Sequence, residues 1–534
     1  MSFPIQMYLK SLSLRKSYQS IIIMSGRKVR VRFAPSPTGP LHIGGVRTAL
    51  FNYLFAKKHD GDFLLRIEDT DLARYVPGAE EYIQEALEWC GIKIDEGPKQ
   101  GGLFGPYRQS ERKDLYRQYV DLLLDSGHAY YAFDTPEELD IARTQAEEKG
   151  ETFTYNALTR SKMKNSLSLS AELWKPLLSS SSHYAIRFKM PDNLDVTEVD
   201  LIRGSVTFNT SLLDDKVLFK SDGMPTYHLA NVVDDHLMEI SHVIRGEEWL
   251  PSMPLHVLLY RAFGWEDTMP CFTHLPLILK PVGKGKLSKR DGDKLGFPVF
   301  PLLWKDPETG DTSRGYREDG YFPDAFVNML ALLGWNPGTE QEIFSMKELC
   351  ESFSLERVGK SGARFDPEKS KWFNHQYFIK MSDDQLGELL VPLLEVKGIK
   401  AELSMAAKVC GMVKERCNFV SEIWDQSYYL FQAPSTYDEK IVSKRWKDDV
   451  PEIMGEIAQF LETIDLWNAT GIKESFSVFV TASGWNFGVV MNSLRLCLVG
   501  GSFGPDIFEI CEFIGQWETI SRIRYAITAL SQKG

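Results

Sequence analysis

The chain has 534 residues, of which 43% are hydrophobic and 25% are charged, so a disordered or fibrous protein is excluded. At about 150 residues per domain, this length predicts roughly three or four domains. The net charge of −12 excludes a uniformly basic nucleic-acid coat but leaves room for a local basic groove. The longest uncharged stretch, residues 475–494, is interrupted by Ser, Thr, Asn and Gly, so no membrane span is expected.

Residues 1–24 differ in composition from the rest of the chain. No Asp or Glu occurs before Asp60, and the segment mixes Ser, Lys and Arg with apolar residues. A basic, Ser-rich and acid-poor composition is typical of an organelle-targeting peptide. We favour an upstream start instead, because the residues from Arg27 lead directly into a strand. The sequence therefore predicts a cytoplasmic protein, with an organellar location as the alternative.

Strands and helices alternate in the first part of the chain. The apolar and basic residues of Val29–Phe33 alternate and predict a strand that Pro35 ends, and a helix is expected from Gly44 onward. A second strand is predicted at Phe63–Ile67, and a second helix from Gly78 to Trp89. This order predicts a parallel α/β sheet, in which ligands bind at the carboxyl ends of the strands.

The pattern changes between residues 130 and 215. Short strands are predicted there at Tyr184–Lys189 and Gly204–Phe208, and this range is expected to form an inserted α+β module. The first pattern resumes at Val217–Phe219, and Cys271–Leu279 is predicted as a buried strand. Beyond about residue 338 the chain is expected to be mostly helical.

A glycine-rich turn after the first strand has the features of an anion site. In PSPTGPLHIGG, residues 35–45, Gly44 and Gly45 allow the backbone to approach a phosphate at a helix start. His42 lies just ahead, where a ring N–H can stabilise charge on a phosphoryl oxygen. For this motif alone, a glycine-rich loop with a hydrogen-bonded histidine is the simpler interpretation.

A basic loop about 240 residues downstream complements this turn. Lys286, Ser288 and Lys289 lie in KLSKR, next to glycines that predict a mobile loop. Lysines on such a loop can bring positive charge to a pyrophosphate in the transition state only. In isolation the loop would be interpreted as a solvated turn, but together the two motifs predict nucleotidyl transfer.

These two motifs belong to a longer set that carries a family resemblance. The sequence resembles the class I aminoacyl-tRNA synthetases, and specifically the glutamyl-tRNA synthetases of the bacterial and organellar type. Gly45 stands where other class I members have the second histidine of their HIGH motif. The similarity is dense up to Trp372 and sparse after it. The matching segments are RFAPSPTGPLHIGG (32–45), LRIEDTD (65–71), YVPGA (75–79), SDGMPTYHLANVVDD (221–235), VIRGEEW (243–249), KLSKR (286–290), GYFPD (320–324) and LALLGW (330–335).

The resemblance implies an enzyme of protein biosynthesis that activates L-glutamate with ATP and Mg²⁺ and transfers it to tRNA-Glu. Arginines suit the two carboxylates of glutamate, because a guanidinium forks onto carboxylate oxygens. A glutamate carboxylate would accept the α-ammonium. The implied glutamate-binding residues are Arg32, Ser36, Glu68, Tyr227 and Arg245. The implied ATP-binding residues are His42, Gly44, Gly45, Lys286, Ser288 and Lys289, of which His42, Lys286 and Lys289 would be catalytic; His228 and Asn231 are expected to be scaffold.

The implied fold class is α/β: a Rossmann-like parallel-sheet catalytic domain with an inserted α+β acceptor-binding module and a C-terminal all-α anticodon-binding region. We expect the anticodon-binding region to contain a tRNA contact at Arg416, with a helix-surface arginine as the alternative. The expected boundaries are an N-terminal extension at 1–24, the catalytic domain at 25–129 and 216–337, the inserted module at 130–215, a stem-contact helical region at 338–385 and anticodon-binding helical domains at 386–534.

Two departures from the family pattern carry predictions. Some members bind zinc in the inserted module through a CxC pair, but the corresponding positions are Ala132 and Asp134, so no zinc is predicted. Residues 291–315 are longer than the usual family link. We expect a surface insertion without function there, with a shield for the active-site rim as the alternative.

Several alternatives remain open. A non-discriminating enzyme would also glutamylate tRNA-Gln, and one sequence does not decide between the two ranges. A catalytically inactive tRNA-binding protein is a different class, but the presence of His42, Lys286 and Lys289 argues against it. We expect a monomer with no membrane association.

Overall fold

The computed structural model describes residues 27–180 and 184–531. They divide into two units, one ending at Ser370 and the other beginning at Lys371. The segment 1–24, on which the organellar alternative depends, lies outside the described residues. None of the described helices is long and apolar enough to cross a membrane.

The strands of the N-terminal unit are β1 Arg30–Phe33, β2 Asp62–Leu65, β3 Ala129–Ala132, β4 Ala185–Phe188, β5 Asp195–Asp200, β6 Gly204–Asn209, β7 Val217–Lys220, β8 His242–Gly246, β9 Cys271–Leu275, β10 Ile278–Leu279, β11 Trp304–Lys305, β12 Thr312–Ser313 and β13 Ala363–Arg364. The unit is built around a six-stranded sheet of order β2-β1-β8-β9-β5-β6. All neighbours in it are parallel except β5 and β6, which form an antiparallel edge. A smaller antiparallel sheet has the order β3-β4-β7.

The central position of β1 explains its sequence. All four of its residues are buried, as expected for a strand covered on both faces of a parallel sheet. The helix Ile43–Lys58 follows and buries the apolar face that the sequence predicted, including Val46, Leu50 and Leu54. This strand, turn and helix bring residues 34–42 to the carboxyl edge of the sheet, where ligands bind in α/β folds.

The range 130–215 contributes to both sheets. Strands β3 and β4 pair in the small sheet, whereas β5 and β6 extend the central sheet through the parallel pairing of Asp200 with Phe272. A separate small core forms around Tyr130, Ala132 and Tyr155. Asp134 is one of the two positions at which the CxC pair of some family members is missing. Its carboxylate accepts hydrogen bonds from Tyr155 Oη at 2.9 Å and from the backbone N–H of Lys164 at 2.8 Å.

Helices cover the sheet of the N-terminal unit and make up the C-terminal unit. Residues 367–380 form a helix that includes the boundary between the units. The α-helices of the N-terminal unit are Ile43–Lys58, Ala79–Trp89, Lys113–Asp125, Pro136–Glu147, Ala171–Ser180, Tyr227–Leu237, Met253–Ala262, Lys289–Leu295, Pro323–Leu332 and Met346–Ser352. Those that follow are Pro367–Lys380, Asp383–Val396, Leu403–Val413, Glu422–Phe431, Glu439–Arg445, Val450–Leu461, Ala469–Ala482, Phe487–Val499, Ile507–Ile514 and Gln516–Ser531.

Two helical glycines of the C-terminal unit lead to opposite predictions for stability. A Cβ on Gly387 would lie 2.9 Å from the backbone nitrogen of Ala407, whereas a Cβ on Gly455 would meet nothing within 4 Å. We expect Gly455→Ala to stabilise the unit by up to about 1 kcal/mol through helix propensity. Gly387→Ala should destabilise it by about 1–3 kcal/mol, because two packed helices must separate.

Thermal unfolding of both variants, followed by calorimetry, checks this pair. The helix propensity gain is the same at both positions, so the difference between the two midpoints measures the close packing of Gly387. Equal shifts for the two variants would contradict the packing argument.

Candidate active site

A cavity of about 360 Å³ opens at the carboxyl edge of the central sheet, beside the turn that follows β1. Residues from β1, β8 and the helices Ile43–Lys58 and Tyr227–Leu237 form its wall. The structure brings together in this wall all five predicted glutamate-binding residues, together with His42, Gly44, Gly45 and Lys286. These lining residues are Arg32, Ser36, His42, Gly44, Gly45, Glu68, Tyr227, Arg245 and Lys286.

His42 is held as a neutral donor at the start of the helix Ile43–Lys58. Its Nδ1 accepts the backbone N–H of Gly44 at 3.2 Å, so the ring proton lies on Nε2. That Nε2 is buried and has no hydrogen-bond partner among the described residues. Burial, assisted by the charge of Lys286, lowers the pKa of His42 to about 4. The ring therefore offers an N–H, without a charge of its own, to a ligand.

The basic loop divides its lysines between two cavities. Lys286 reaches the first, and its Nζ donates to Glu248 Oε1 at 2.9 Å. Lys289 lines a neighbouring cavity of about 430 Å³, and His42 and Gly45 also line this cavity. Ser288 lines neither cavity; its backbone N–H and its hydroxyl both donate to Asp291 Oδ2, at 3.0 and 2.6 Å, at the start of the helix Lys289–Leu295.

The insertion at 291–315 does not lie entirely on the surface, as the sequence led us to expect. Val299, Phe300, Leu302 and Trp304 are buried. The carbonyl of Val299 accepts the N–H of Ile43 at 3.0 Å, and the Phe300 ring meets the His42 ring edge-on. The expectation of a surface insertion is wrong for this part of the segment, because its apolar residues pack beneath the glycine-rich turn.

Arg32 is oriented by a buried carboxylate. Its Nε and Nη2 donate to Asp235 at 3.0 and 3.1 Å, and Arg66 Nη1 donates to the same carboxylate at 2.8 Å. Burial alone would raise the pKa of Asp235, but Arg32 and Arg66 outweigh it and hold that pKa below its usual value. Two of the five N–H donors of Arg32 have partners within residues 27–180 and 184–531, which leaves the far edge of the guanidinium for a ligand.

Glu68 is the acidic group of the cavity. Its Oε1 accepts from Arg66 Nη2 and from Asn231 Nδ2, both at 3.0 Å. Burial raises the pKa of Glu68, and the nearby Arg66 and Arg32 oppose that rise. A cation placed against this carboxylate would stabilise its charged form.

Asn231 was expected to be scaffold, but it also lines the cavity. Its amide Oδ1 is buried and has no hydrogen-bond partner among the described residues. The signal for its position was present in the sequence. Tyr227, Asn231 and Asp235 are spaced four residues apart on the helix Tyr227–Leu237, and such spacing places them on one face.

Arg245 and two aromatic rings form the remaining wall. Arg245 Nη1 donates to Tyr227 Oη at 2.8 Å, and the ring of Tyr227 lies 4.4 Å from that of Trp249. Trp249 is 41% exposed, so it borders the cavity and does not belong to the core. Arg416 lies in the C-terminal unit, exposed at the end of the short 3-10 helix Lys414–Arg416.

The comparisons with known proteins agree with this geometry. Residues 28–372 match the family model of the class I tRNA synthetases for E and Q, catalytic domain, and residues 385–527 match an anticodon binding domain. The parallel sheet with its glycine-rich turn and basic loop therefore belongs to a class I tRNA synthetase catalytic domain.

The relatives identify the family within this class. The glutamate–tRNA ligase of Porphyromonas gingivalis is 59% identical and covers 95% of this chain and 100% of its own length. That of Flavobacterium johnsoniae is 61% identical, covering 94% and 100%. A crystal structure of a glutamate tRNA ligase from Elizabethkingia meningosepticum in complex with its amino acid superposes with a TM-score of 0.92 at 55% identity, covering 94% of this chain and 100% of that one.

The chain belongs to the glutamate–tRNA ligases. The family, the α/β fold class with a Rossmann-like catalytic domain and a helical anticodon-binding region, and the aminoacyl-tRNA synthetase enzyme class are thereby confirmed. The predicted function, glutamate–tRNA ligation, is also confirmed.

Proposed function

We propose that the 360 Å³ cavity activates L-glutamate with ATP and that the chain then transfers the glutamyl group to tRNA-Glu. The observation that carries this proposal is the combination of two buried arginines and one buried carboxylate in the same wall. Glutamate has the matching charges, with two carboxylates and one ammonium. Arg32 and Arg245 would receive the carboxylates, and Glu68 would receive the ammonium.

Ser36, Tyr227 and Asn231 complete the glutamate site in this proposal. The Tyr227 hydroxyl already accepts from Arg245, so its own proton remains for a carboxylate oxygen. Asn231 Oδ1 is an acceptor without a partner among the described residues, which suits an ammonium. Glutamine has an amide in place of the side-chain carboxylate, so its binding would leave a buried arginine without a charged partner and is strongly disfavoured. The enzyme can therefore reject glutamine without an editing domain.

ATP would bind against His42, Gly44 and Gly45, at the start of the helix Ile43–Lys58. The two glycines let phosphate oxygens come close to the backbone there, and the positive end of the helix dipole favours their charge. His42 Nε2–H would donate to the α-phosphate, where charge develops as the glutamate carboxylate attacks and pyrophosphate leaves. Lys286 and Lys289 would neutralise the leaving pyrophosphate, and Ser288, between them in KLSKR, would belong to the same ATP site.

The second step needs no protein nucleophile. The terminal ribose hydroxyl of the tRNA attacks the glutamyl carbonyl, and AMP leaves, so positioning and electrostatics suffice. Mg²⁺ would reduce the charge on the phosphates when bound there. Among residues 27–180 and 184–531, no group of three or more His, Cys, Asp or Glu side chains could hold a metal ion, so we assign no protein ligand to it.

The remaining assignments are part of the same proposal. Arg416 would contact the anticodon, and the range 130–215 would bind the acceptor stem. The domain boundaries are those predicted from the sequence. A monomer in the cytoplasm is the expected form, and the bacterial relatives support that location.

Charging of purified tRNA-Glu and tRNA-Gln with labelled glutamate tests the proposal. We expect tRNA-Glu to be charged and Lys289→Ala to lower kcat by about 10²- to 10³-fold, because a transition-state cation is lost. Charging of both tRNAs would identify a non-discriminating enzyme. Lys284→Ala, in the same loop but in neither cavity, is the control. Binding of tRNA without charging would contradict the proposal.

A further inference from the structure

Three neighbouring strands of the central sheet end in polar residues that contact one another. Asp200 is the last residue of β5, His274 lies in β9, and Arg245 lies in β8 directly opposite His274 in the parallel register. Arg245 Nε lies 3.0 Å from His274 Nε2, and His274 Nδ1 lies 2.7 Å from Asp200 Oδ2. All three side chains are buried.

The hydrogen bonds fix the protonation of His274. A guanidinium has donors only, so Nε2 of His274 must be the unprotonated nitrogen that accepts from Arg245 Nε. The ring proton therefore lies on Nδ1 and is donated to Asp200. Burial lowers the pKa of His274, and the charges of Arg245 and Arg203 lower it further against the opposing effect of Asp200. The imidazole is thus a neutral acceptor held in one tautomer.

Asp200 is itself rigidly held. Its Oδ1 accepts the backbone N–H groups of Ile202 at 2.9 Å and Arg203 at 2.8 Å, and its Oδ2 also accepts the N–H of His274 at 2.9 Å. Its carboxylate is therefore fixed by the turn that follows β5 and by β9. Through Asp200, these two backbone segments fix the orientation of the His274 ring.

The ring in turn determines which edge of Arg245 faces the cavity. With Nε on His274, the Nη1 atom reaches Tyr227 Oη at 2.8 Å, and Arg245 lines the cavity. The other imidazole near Arg245 is that of His256, whose Nδ1 lies 3.5 Å from Nη1 and so does not hold Nε. Without an acceptor at His274, the guanidinium would be held by Tyr227 and by longer contacts of 3.4 Å to the Trp249 carbonyl and 3.5 Å to His256, so rotation about its last side-chain bonds would be less restricted.

We propose that His274, with its proton held on Nδ1 by Asp200, is a positioning residue that sets the angle at which Arg245 meets the glutamate carboxylate. This inference rests on the proposed glutamate-binding role of Arg245. It adds to the site a residue that touches no substrate and that no sequence motif singled out.

Two substitutions of His274 distinguish the acceptor role of Nε2 from the donor role of Nδ1. In His274→Gln the side-chain amide reaches the place of Nε2 and keeps an acceptor for Arg245. In His274→Asn the amide reaches only the place of Nδ1, so it keeps the donor to Asp200 and loses the acceptor. We expect His274→Asn to raise KM for glutamate by about 10- to 100-fold, by analogy with the loss of an outer-shell hydrogen-bond partner at metal sites. His274→Gln should stay within about 3-fold of the wild type, and KM for ATP should change little in either.

The kinetic test uses tRNA-Glu charging by the full chain, with Arg245→Gln measured in parallel. A rise in KM for glutamate that is specific to His274→Asn supports the proposal. Equal rises in both His274 variants, or parallel changes in KM for ATP and in the unfolding midpoint, would indicate a structural role and overturn it. If Arg245→Gln leaves KM for glutamate unchanged while the wild type charges tRNA-Glu, the role of Arg245 is wrong. If only Arg245→Gln raises KM, the positioning role of His274 alone is wrong.

The tautomer of His274 can be measured on the wild type, with a variant needed only to assign the signals. In ¹⁵N-histidine-labelled protein, the His274 signals, assigned by their loss in His274→Gln, should show a neutral ring protonated at Nδ1 near pH 7. A ring protonated at Nε2, or at both nitrogens, would overturn the proposal, because neither form can accept from Arg245.

Discussion

Arg32→Lys is expected to lower kcat/KM for glutamate by roughly 10²- to 10³-fold, which corresponds to the loss of a buried charge-assisted contact. Arg32 uses one edge of its guanidinium on Asp235 and keeps the other for the ligand. A lysine ammonium is a single point charge and cannot serve Asp235 and a substrate carboxylate in the same geometry. The loss should appear in KM for glutamate.

Steady-state charging of tRNA-Glu at varied glutamate concentrations measures this effect. Arg261→Lys provides a matched control, since Arg261 is a partly exposed arginine of the same unit outside the cavity. We expect this control to remain within about 2-fold of the wild type. If KM for glutamate is unchanged in Arg32→Lys, Arg32 does not bind glutamate.

His42→Asn is expected to lower kcat by about 10²- to 10³-fold with little change in KM for ATP or in stability. Asparagine is a good N-cap and can accept the Gly44 N–H in place of Nδ1, so the helix Ile43–Lys58 keeps its start. The Nε2–H donor is lost, and its contribution arises mainly as charge develops on the α-phosphate. The variant therefore separates the capping role of His42 from its proposed catalytic role.

The same argument predicts the pH dependence. Because the pKa of His42 is lowered to about 4, the ring is already neutral well below neutrality. His42 should therefore cause no inflection in kcat between about pH 5 and 8, whereas an imidazolium acting as a cation would lose activity as the pH rises through its pKa. A fall in wild-type kcat over this range that is absent in His42→Asn would contradict the neutral donor.

The local features of the fold could be predicted from the sequence because they depend on neighbouring residues. The alternation in Val29–Phe33 marks a strand that begins at Arg30, and the predicted helix from Gly78 is observed at Ala79–Trp89. The strand order could not be predicted in the same way. The pairing of β5 with β9 joins residues about 70 apart in the chain, and it depends on the packing of the whole sheet.

The same distinction applies to the site. The residues that line the cavity were found because they lie inside motifs, as Arg32, His42 and Glu68 do. The groups that orient them were not found, because Asp235 is distant in sequence from Arg32 and no spacing indicates the contact. The buried part of the 291–315 insertion was also missed, since its apolar residues pack against a turn about 250 residues earlier.

A crystal structure with glutamate and a non-hydrolysable ATP analogue tests the central claim most directly. We predict one carboxylate of glutamate within hydrogen-bond distance of the free edge of Arg32, the other near Arg245, and the ammonium on Glu68. The α-phosphate of the analogue should lie within hydrogen-bond distance of His42 Nε2. Glutamate bound outside this cavity, or with its ammonium away from Glu68, would contradict the assignment of the site.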